Sequence, residues 1–182
     1  AGHRIGDVSF AIQNYVENIG YFNATTIADS TSRKKTAKAK YNITLRKQYI
    51  IKSVTFPSDS SVLSKEINKT MRRTLLKVGK PYSLQNIINE RARIDVRLKE
   101  KGFFYFDENY LLIQVDSTVA NHEVDLILKI KSETPAVAQK QYRINAILIY
   151  PNFTINDTLN NKGDSAVVYN DFKIYDSEKT FK

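Results

Sequence analysis

The chain has 182 residues, with no cysteine and two histidines, and its 28 Lys and Arg residues against 19 Asp and Glu give a net charge of +9. The missing cysteines exclude disulfides, thiolate metal sites and a cysteine nucleophile. His3 and His122 are far apart in sequence, neither has a plausible metal partner nearby, and so few histidines leave no Ser-His-Asp set to assemble. The positive charge suggests an anionic partner, although a solvated lysine-rich surface is the simpler interpretation.

Other classes of protein are also disfavoured. No stretch approaches a transmembrane helix. No signal peptide is visible at Ala1, so we expect either a mature chain or a piece of a longer one. The six glycines form no phosphate-binding loop, and no carboxylates are spaced to pair across a cleft. We therefore predict no catalytic, cofactor-binding or metal-binding residues and no enzymatic activity.

The first part of the chain predicts a helix followed by strands. Residues 7–19 carry apolar side chains at three- and four-residue spacing, and Gly20 supplies the left-handed turn that ends a helix. Residues 23–36 are polar and predict an edge strand or a loop. Residues 37–45 alternate apolar and polar side chains, which predicts a half-buried strand.

The middle of the chain predicts a strand and two helices. The strand covers 48–56 and is broken by Pro57. A helix over 61–78 is predicted from one apolar stripe, which consists of Leu63, Ile67, Met71, Leu75 and Val78. Gly79 ends this helix. A second helix over 84–101 starts at the N-cap Ser83.

Further strands follow the second helix. Gly102 caps that helix, and strands are predicted over 105–115 and 124–130. Another strand is predicted over 141–150. The tail beyond Pro151 is polar and predicts loop and hairpin, with short strands over 166–169 and 172–175.

The same pattern occurs more than once. The segment NIGYFNA around Gly20 matches EKGFFYF around Gly102, and KQYIIKSVTFP matches KQYRINAILIYP. Such a long period indicates an array of domains. The repeating unit is strand, helix, helix, strand, strand. We predict the end of a first unit over 1–46, a complete unit over 47–132, and a linker with the first strand and a polar insertion of a following unit over 133–182.

These motifs resemble those of a known family. Gly79-Lys80-Pro81-Tyr82, Gly102-Phe103-Phe104 and Tyr142-Arg143-Ile144 are similar to motifs of POTRA domains in outer-membrane protein assembly factors, the family of BamA and TamA. The resemblance covers roughly residues 7–150. It implies an α+β fold of tandem POTRA-like units, each a three-stranded mixed sheet packed against two helices. The Asn- and Tyr-rich composition resembles relatives from the Bacteroidetes.

The resemblance also implies a function. POTRA domains of that family are periplasmic modules that precede a membrane β-barrel, and they have neither catalytic activity nor a cofactor. Expected partners are unfolded outer-membrane proteins or accessory assembly proteins, together with the chain's own C-terminal membrane β-barrel if one is present, and no nucleic acid is expected. One alternative is a POTRA scaffold of a cell-division or secretion protein without a barrel. Another alternative is an RNA-binding domain, which only the positive charge suggests. RNA binding would require aromatic residues for base stacking among the basic residues, whereas here the aromatic residues cluster at helix ends and strand starts.

Two groups of residues are candidates for the site. A three-stranded sheet covered on one face leaves edge strands, and an edge can bind a partner by strand addition. If the last strand is central, 105–117 is an edge, which gives the partner-binding candidates Tyr105, Phe106, Tyr110, Leu111, Leu112, Ile113, Gln114 and Val115. The alternative is that a neighbouring domain covers this edge. The predicted structural corners are Gly20, Tyr21, Phe22, Gly102, Phe103 and Phe104, and two of the four aromatic residues over 103–106 are expected in the core.

Overall fold

The computed structural model of the chain describes residues 2–119, 121–151 and 166–175, and in the first helix it describes the side chains from Ile5 onward. Two compact units are present, Ala1–Gln141 and Tyr142–Lys182. The division at residues 46 and 132 that the sequence suggests stays a prediction.

The compact unit Ala1–Gln141 begins with a helix and a long hairpin. Helix α1 is Gly2–Asn18. Strands β1 (Thr25–Arg33) and β2 (Thr36–Thr44) pair in antiparallel register along their full length. The expectation that β2 is half-buried was wrong, because nearly all of its side chains are exposed. In the described part of the chain this sheet has two strands, and α1 packs against β1, so little covers β2.

The complete unit follows in the order strand, helix, helix, strand, strand. Its elements are β3 (Ile50–Thr55), α2 (Val62–Lys69), α3 (Leu84–Glu100), β4 (Leu111–Asp116) and β5 (Glu123–Ile130). The sheet order is β3-β5-β4, with β3 parallel and β4 antiparallel to β5. The predicted α+β fold with a mixed sheet is therefore confirmed, and the last strand is central.

The core lies between this sheet and its two helices. Every second side chain of β5 is buried, as strand alternation requires, and these are Val124, Leu126 and Leu128. They belong to one apolar cluster with buried residues of α2 and α3, which include Leu63, Ile67, Ile94 and Leu98. Both helices pack on one face of the sheet and do not cover its edges. The outer strands β3 and β4 therefore form the two edges of the sheet.

Helix α2 is shorter than its apolar stripe predicts. It ends at Lys69, a short 3-10 helix covers Met71–Arg73, and Thr74 then has an extended backbone. Leu63 and Ile67 are buried as expected, whereas Met71, Leu75 and Val78 are exposed. The predicted helix over 61–78 was wrong because distant groups bind the backbone after Thr70, as described below.

The compact unit Tyr142–Lys182 contains a small sheet. Strands β6 (Ile147–Ile149), β7 (Val167–Tyr169) and β8 (Phe172–Ile174) have the order β6-β8-β7. The hairpin expected in the tail is confirmed, and its turn residues Asn170 and Asp171 both have positive φ, as a tight hairpin turn requires. The predicted strand over 141–150 is reduced to β6. The rest of the polar tail, 152–165 and 176–182, lies outside the described residues.

Candidate binding edge and the corners that position it

A glycine corner ends α3. Gly102 has φ +91°, a conformation that costs a glycine little because it has no Cβ. Its N–H donates to the carbonyl of Lys99 at 3.0 Å, and the N–H of Phe103 donates to the carbonyl of Leu98 at 3.0 Å. These two bonds satisfy carbonyl groups that the end of a helix leaves unpaired. The corner sends the chain back across the core.

The same corner ends α1. Gly20 has φ +94°, and its N–H donates to the carbonyl of Glu17 at 2.9 Å. The N–H of Tyr21 donates to the carbonyl of Val16 at 3.0 Å. The two corners thus share both bonds, and the repeat seen in the sequence is present in the backbone.

The aromatic residues after Gly102 divide between core and surface. Phe103 and Phe106 are buried, and the N–H of Phe106 donates to the carbonyl of Phe103 at 3.0 Å. Phe104 and Tyr105 are exposed and contact each other, with ring centroids 5.1 Å apart. The expectation that two of the four belong to the core is confirmed.

The first corner packs against the start of β3. The ring centroids of Tyr49 and Tyr82 each lie 4.8 Å from that of Phe22. The N–H of Tyr49 donates to the carbonyl of Gly20 at 2.8 Å, and the side-chain amide of Gln48 donates to the carbonyl of Ile19 at 2.7 Å. These contacts join the end of α1 to the complete unit through backbone and aromatic groups together.

The candidate edge strand is shorter than predicted. Of the eight candidates, Leu111, Leu112, Ile113, Gln114 and Val115 lie in β4. Tyr105 and Phe106 lie in the turn before it, and Tyr110 ends a 3-10 helix, Glu108–Tyr110. The predicted strand was wrong at these three positions. The N–H of Phe106 donates to the carbonyl of Phe103 and closes the turn, and the carboxylate of Asp107 accepts the N–H of Asn109 and starts the short helix.

The register of β4 determines which of its backbone groups face outward. The N–H of Lys131 donates to the carbonyl of Tyr110. Since hydrogen-bonded and non-hydrogen-bonded pairs alternate along an antiparallel ladder, Leu112 and Gln114 bond to β5. The N–H and C=O groups of Leu111, Ile113 and Val115 therefore point away from β5. Among the described residues no other strand pairs with β4, so this edge is open.

The opposite edge of the sheet is partly occupied. The N–H of Ile51 in β3 donates to the carbonyl of Lys80 at 2.9 Å, and its carbonyl accepts the N–H of Gly79 at 2.8 Å. The carbonyl of Tyr49, just before β3, accepts the N–H of Tyr82 at 2.9 Å. The segment 79–82 thus lies along the beginning of β3, and β4 is the more accessible edge.

An arginine of α3 positions β4. Arg91 interrupts the apolar stripe of this helix, which includes Ile87, Ile94 and Leu98. Its guanidinium donates to the carbonyl of Glu108 at 2.9 and 3.0 Å and to the side chain of Asn109 at 3.0 Å. These bonds fix the 3-10 helix that leads into β4. The signal in the sequence was a basic residue interrupting an apolar stripe.

A buried carboxylate fixes the chain after α2. Glu90 of α3 is fully buried and accepts hydrogen bonds from the guanidinium of Arg93, the hydroxyl of Thr74 and the N–H of Leu75. Burial acts to raise the pKa of Glu90, but these bonds and the charge of Arg93 outweigh it and hold the pKa below its usual value. Because Leu75 N–H bonds to Glu90, it cannot continue helix α2.

We expect Glu90→Gln to lower the free energy of unfolding at neutral pH by about 1–3 kcal/mol, the cost of leaving buried polar groups partly unsatisfied. A carboxyl group whose pKa is lowered by folding stabilises the protein above its unfolded pKa, here near 4.5, and this stabilisation is lost as the pH falls below that value. Urea denaturation of both proteins from about pH 7 to about pH 3 measures it. The difference between them should shrink in acid, and a constant difference would contradict this role for Glu90.

Two other kinds of site are missing from the described residues. No helix in the described ranges is long and apolar enough to cross a membrane. No group of three or more His, Cys, Asp or Glu side chains in these ranges could hold a metal ion. The open edge of β4 is therefore the candidate site.

The complete unit has two helices between its first and second strands and its last strand in the centre of the sheet, the element order that is expected of a POTRA-like unit. The chain is similar to a crystal structure of BamA POTRA3-5 from Haemophilus influenzae, with a TM-score of 0.48 and 17% identity over 80% of this chain and 54% of that chain. It is also similar to BamA from Haemophilus ducreyi lacking POTRA domains 1–3, with a TM-score of 0.45 and 15% identity over 71% of this chain and 23% of that one. No protein-family model and no curated protein matches the sequence.

Proposed function

We propose that the chain is a periplasmic POTRA module of an outer-membrane β-barrel assembly or translocation protein. In this role it binds partner proteins or unfolded outer-membrane proteins by strand addition at β4. The proposal is supported by the motifs shared with that family and, above all, by the open edge of β4. Strand addition requires a row of unpaired backbone groups, and the outward N–H and C=O groups of Leu111, Ile113 and Val115 provide one.

The side chains of β4 suit a particular kind of guest strand. Leu111 and Ile113 are buried on the helix side of the sheet, whereas Leu112 and Gln114 are exposed on the other face. An added strand would place alternate side chains beside each set. Strands of outer-membrane barrels alternate apolar and polar residues. Such a strand could extend the apolar side next to Leu111 and Ile113 while its polar residues remain in water.

Specificity in this mode would come from the backbone and the alternation rather than from a deep pocket. Arg91 and Asp107 contribute indirectly, since they fix the 3-10 helix from which β4 starts. The partner class is therefore broad, namely extended segments with alternating polarity. This breadth suits a module that handles many unfolded chains.

The test exploits the outward N–H of Val115. Val115→Pro removes this donor and places the proline ring on the open edge, while Val115→Ala removes two methyl groups and keeps the N–H. We expect the proline variant to bind a labelled peptide from a barrel strand about tenfold more weakly, and the alanine variant to bind within about threefold of the wild type. Fluorescence anisotropy measures both affinities.

A folding control accompanies this comparison. Val115 is half-buried and lies on the edge strand, so both variants should keep the far-ultraviolet circular dichroism spectrum of the wild type. Equal peptide binding by the proline and alanine variants, with both folded, would rule out strand addition at β4.

A further inference from the structure

The segment after α2 has an unusual surface. We name residues 70–80 the basic loop. It carries Arg72, Arg73, Lys77 and Lys80, and no acidic residue occurs anywhere between Glu66 and Glu90. Its apolar side chains Met71, Leu75 and Val78 are exposed by 49%, 41% and 63%. Cationic and large apolar side chains thus alternate on an exposed stretch of chain.

The structure holds this loop in place. Glu90 binds Thr74 and the N–H of Leu75, and Leu76 is buried in the core. At the far end, Lys80 and Gly79 bond to Ile51 of β3. Because the loop is attached at its middle and its end, the exposure of its apolar side chains is imposed by the fold. Nothing in the core of this unit requires these side chains to be apolar.

An arginine-rich groove adjoins the loop. A cavity of about 560 Å³ lies between the loop and α3 and is lined by Lys69, Thr70, Arg72, Arg73, Arg93, Val96, Arg97 and Glu100. Three of its cations have carboxylate partners, since Arg93 pairs with Glu90, Arg97 with Glu100, and Lys69 with Glu66. Within the described residues, Arg72 and Arg73 form no ion pair, so they carry the uncompensated charge of the groove.

This combination of groups is matched to a phospholipid surface. Guanidinium groups bind phosphate oxygens in a bidentate manner, and exposed apolar side chains beside cations enter the boundary between headgroups and acyl chains. Nucleic acid is less well matched, because neither the loop nor the groove lining contains an aromatic side chain for base stacking. An acidic protein would account for Arg72 and Arg73, but it gives no reason for the exposed Met71, Leu75 and Val78.

We propose that the basic loop and its groove are a docking site for anionic phospholipid membranes. Arg72 and Arg73 bind headgroup phosphates, and Met71, Leu75 and Val78 contact the acyl boundary. This site is separate from β4 and does not depend on strand addition. It would place the protein at a bilayer surface whether or not a partner strand is bound.

Vesicle flotation with the full chain tests the proposal. We expect the wild type to bind vesicles of mixed phosphatidylglycerol and phosphatidylcholine, and not vesicles of phosphatidylcholine alone. Arg72→Gln with Arg73→Gln should lower the partition coefficient on the order of twentyfold, because each basic residue near the surface contributes several-fold. Met71→Ser with Val78→Ser should lower it several-fold at unchanged charge.

The matched control removes two charges elsewhere. Lys38→Gln with Lys40→Gln changes the net charge equally on the exposed strand β2, and it should alter binding less than about threefold. An equal loss in this control would mean attraction by net charge alone and would overturn the proposal. So would binding to neutral vesicles, no binding to anionic vesicles, or equally tight binding of soluble polyglutamate through Arg72 and Arg73. Unchanged thermal unfolding of the three double variants verifies that each is folded.

Discussion

Phe103→Ala should lower the free energy of unfolding of the complete unit by about 3–5 kcal/mol, the range for deleting a fully buried phenylalanine ring. The side chain of Phe103 is 0% exposed and belongs to the central apolar cluster. Its loss would leave a cavity beneath the corner that ends α3. Urea denaturation followed by circular dichroism measures the change.

The neighbouring residue supplies the control. Phe104 has the same side chain, follows directly in sequence and is 69% exposed. We expect Phe104→Ala to change the free energy of unfolding by about 0.5 kcal/mol or less, apart from its contact with Tyr105. Equal costs at the two positions would mean that the corner does not divide these residues between core and surface.

Gly20→Ala should lower the free energy of unfolding of the compact unit Ala1–Gln141 by about 2–4 kcal/mol, because two penalties add at this position. Its φ of +94° disfavours any residue with a Cβ. A Cβ there would also lie 3.1 Å from the carbonyl oxygen of Tyr82 and 3.3 Å from that of Tyr49. Relief requires movement of backbone, so the hydrogen bond from Tyr49 N–H to Gly20 would weaken as well.

Two other glycines separate these penalties. Gly79 has φ +79° with no atom within 4 Å of the position that a Cβ would occupy, so Gly79→Ala should incur the conformational cost alone, about 1–2 kcal/mol. Gly6 lies within α1 and also has open space, so Gly6→Ala should stabilise that helix by up to about 1 kcal/mol. Thermal unfolding should show the largest loss of stability for Gly20→Ala, a smaller loss for Gly79→Ala and a gain for Gly6→Ala. A cost at Gly20 no greater than at Gly79 would show that the contacts with Tyr49 and Tyr82 do not matter.

The sequence predicted features that local chemistry controls. Glycines at 20 and 102 reveal helix ends because their left-handed conformation is a local requirement, and both corners are present. The alternation of β5 correctly marks its buried side chains, since period-two patterning is also local. The last strand is central, which is the condition under which the sequence analysis placed 105–117 at an edge.

The features that the sequence did not predict depend on distant residues. Just beyond the end of α2, the guanidinium of Arg93 binds the carbonyl of Thr70 and the carboxylate of Glu90 binds Leu75 N–H, and no pattern within 61–78 encodes those bonds. Strand β2 shows the alternation of a half-buried strand, but burial depends on what packs against it. The sequence analysis placed the candidate edge at 105–117, but the pairing of Gly79 and Lys80 with Ile51, which partly occupies the opposite edge, joins distant residues and has no local signal.

The central position of β5 has a consequence for the order in which the sheet assembles. Strands β4 and β5 are joined by a short turn, so their pairing closes a small loop, whereas the pairing of β3 with β5 must close one of about 70 residues. The hairpin of β4 and β5 should therefore form first, and β3 should pair with β5 last, after both helices have packed against the hairpin. During synthesis β3 emerges before all of these elements, so it has no β5 to pair with until β5 has been made. At that stage the strand at risk of wrong pairing is β3, whereas in the finished fold the strand open to a guest is β4.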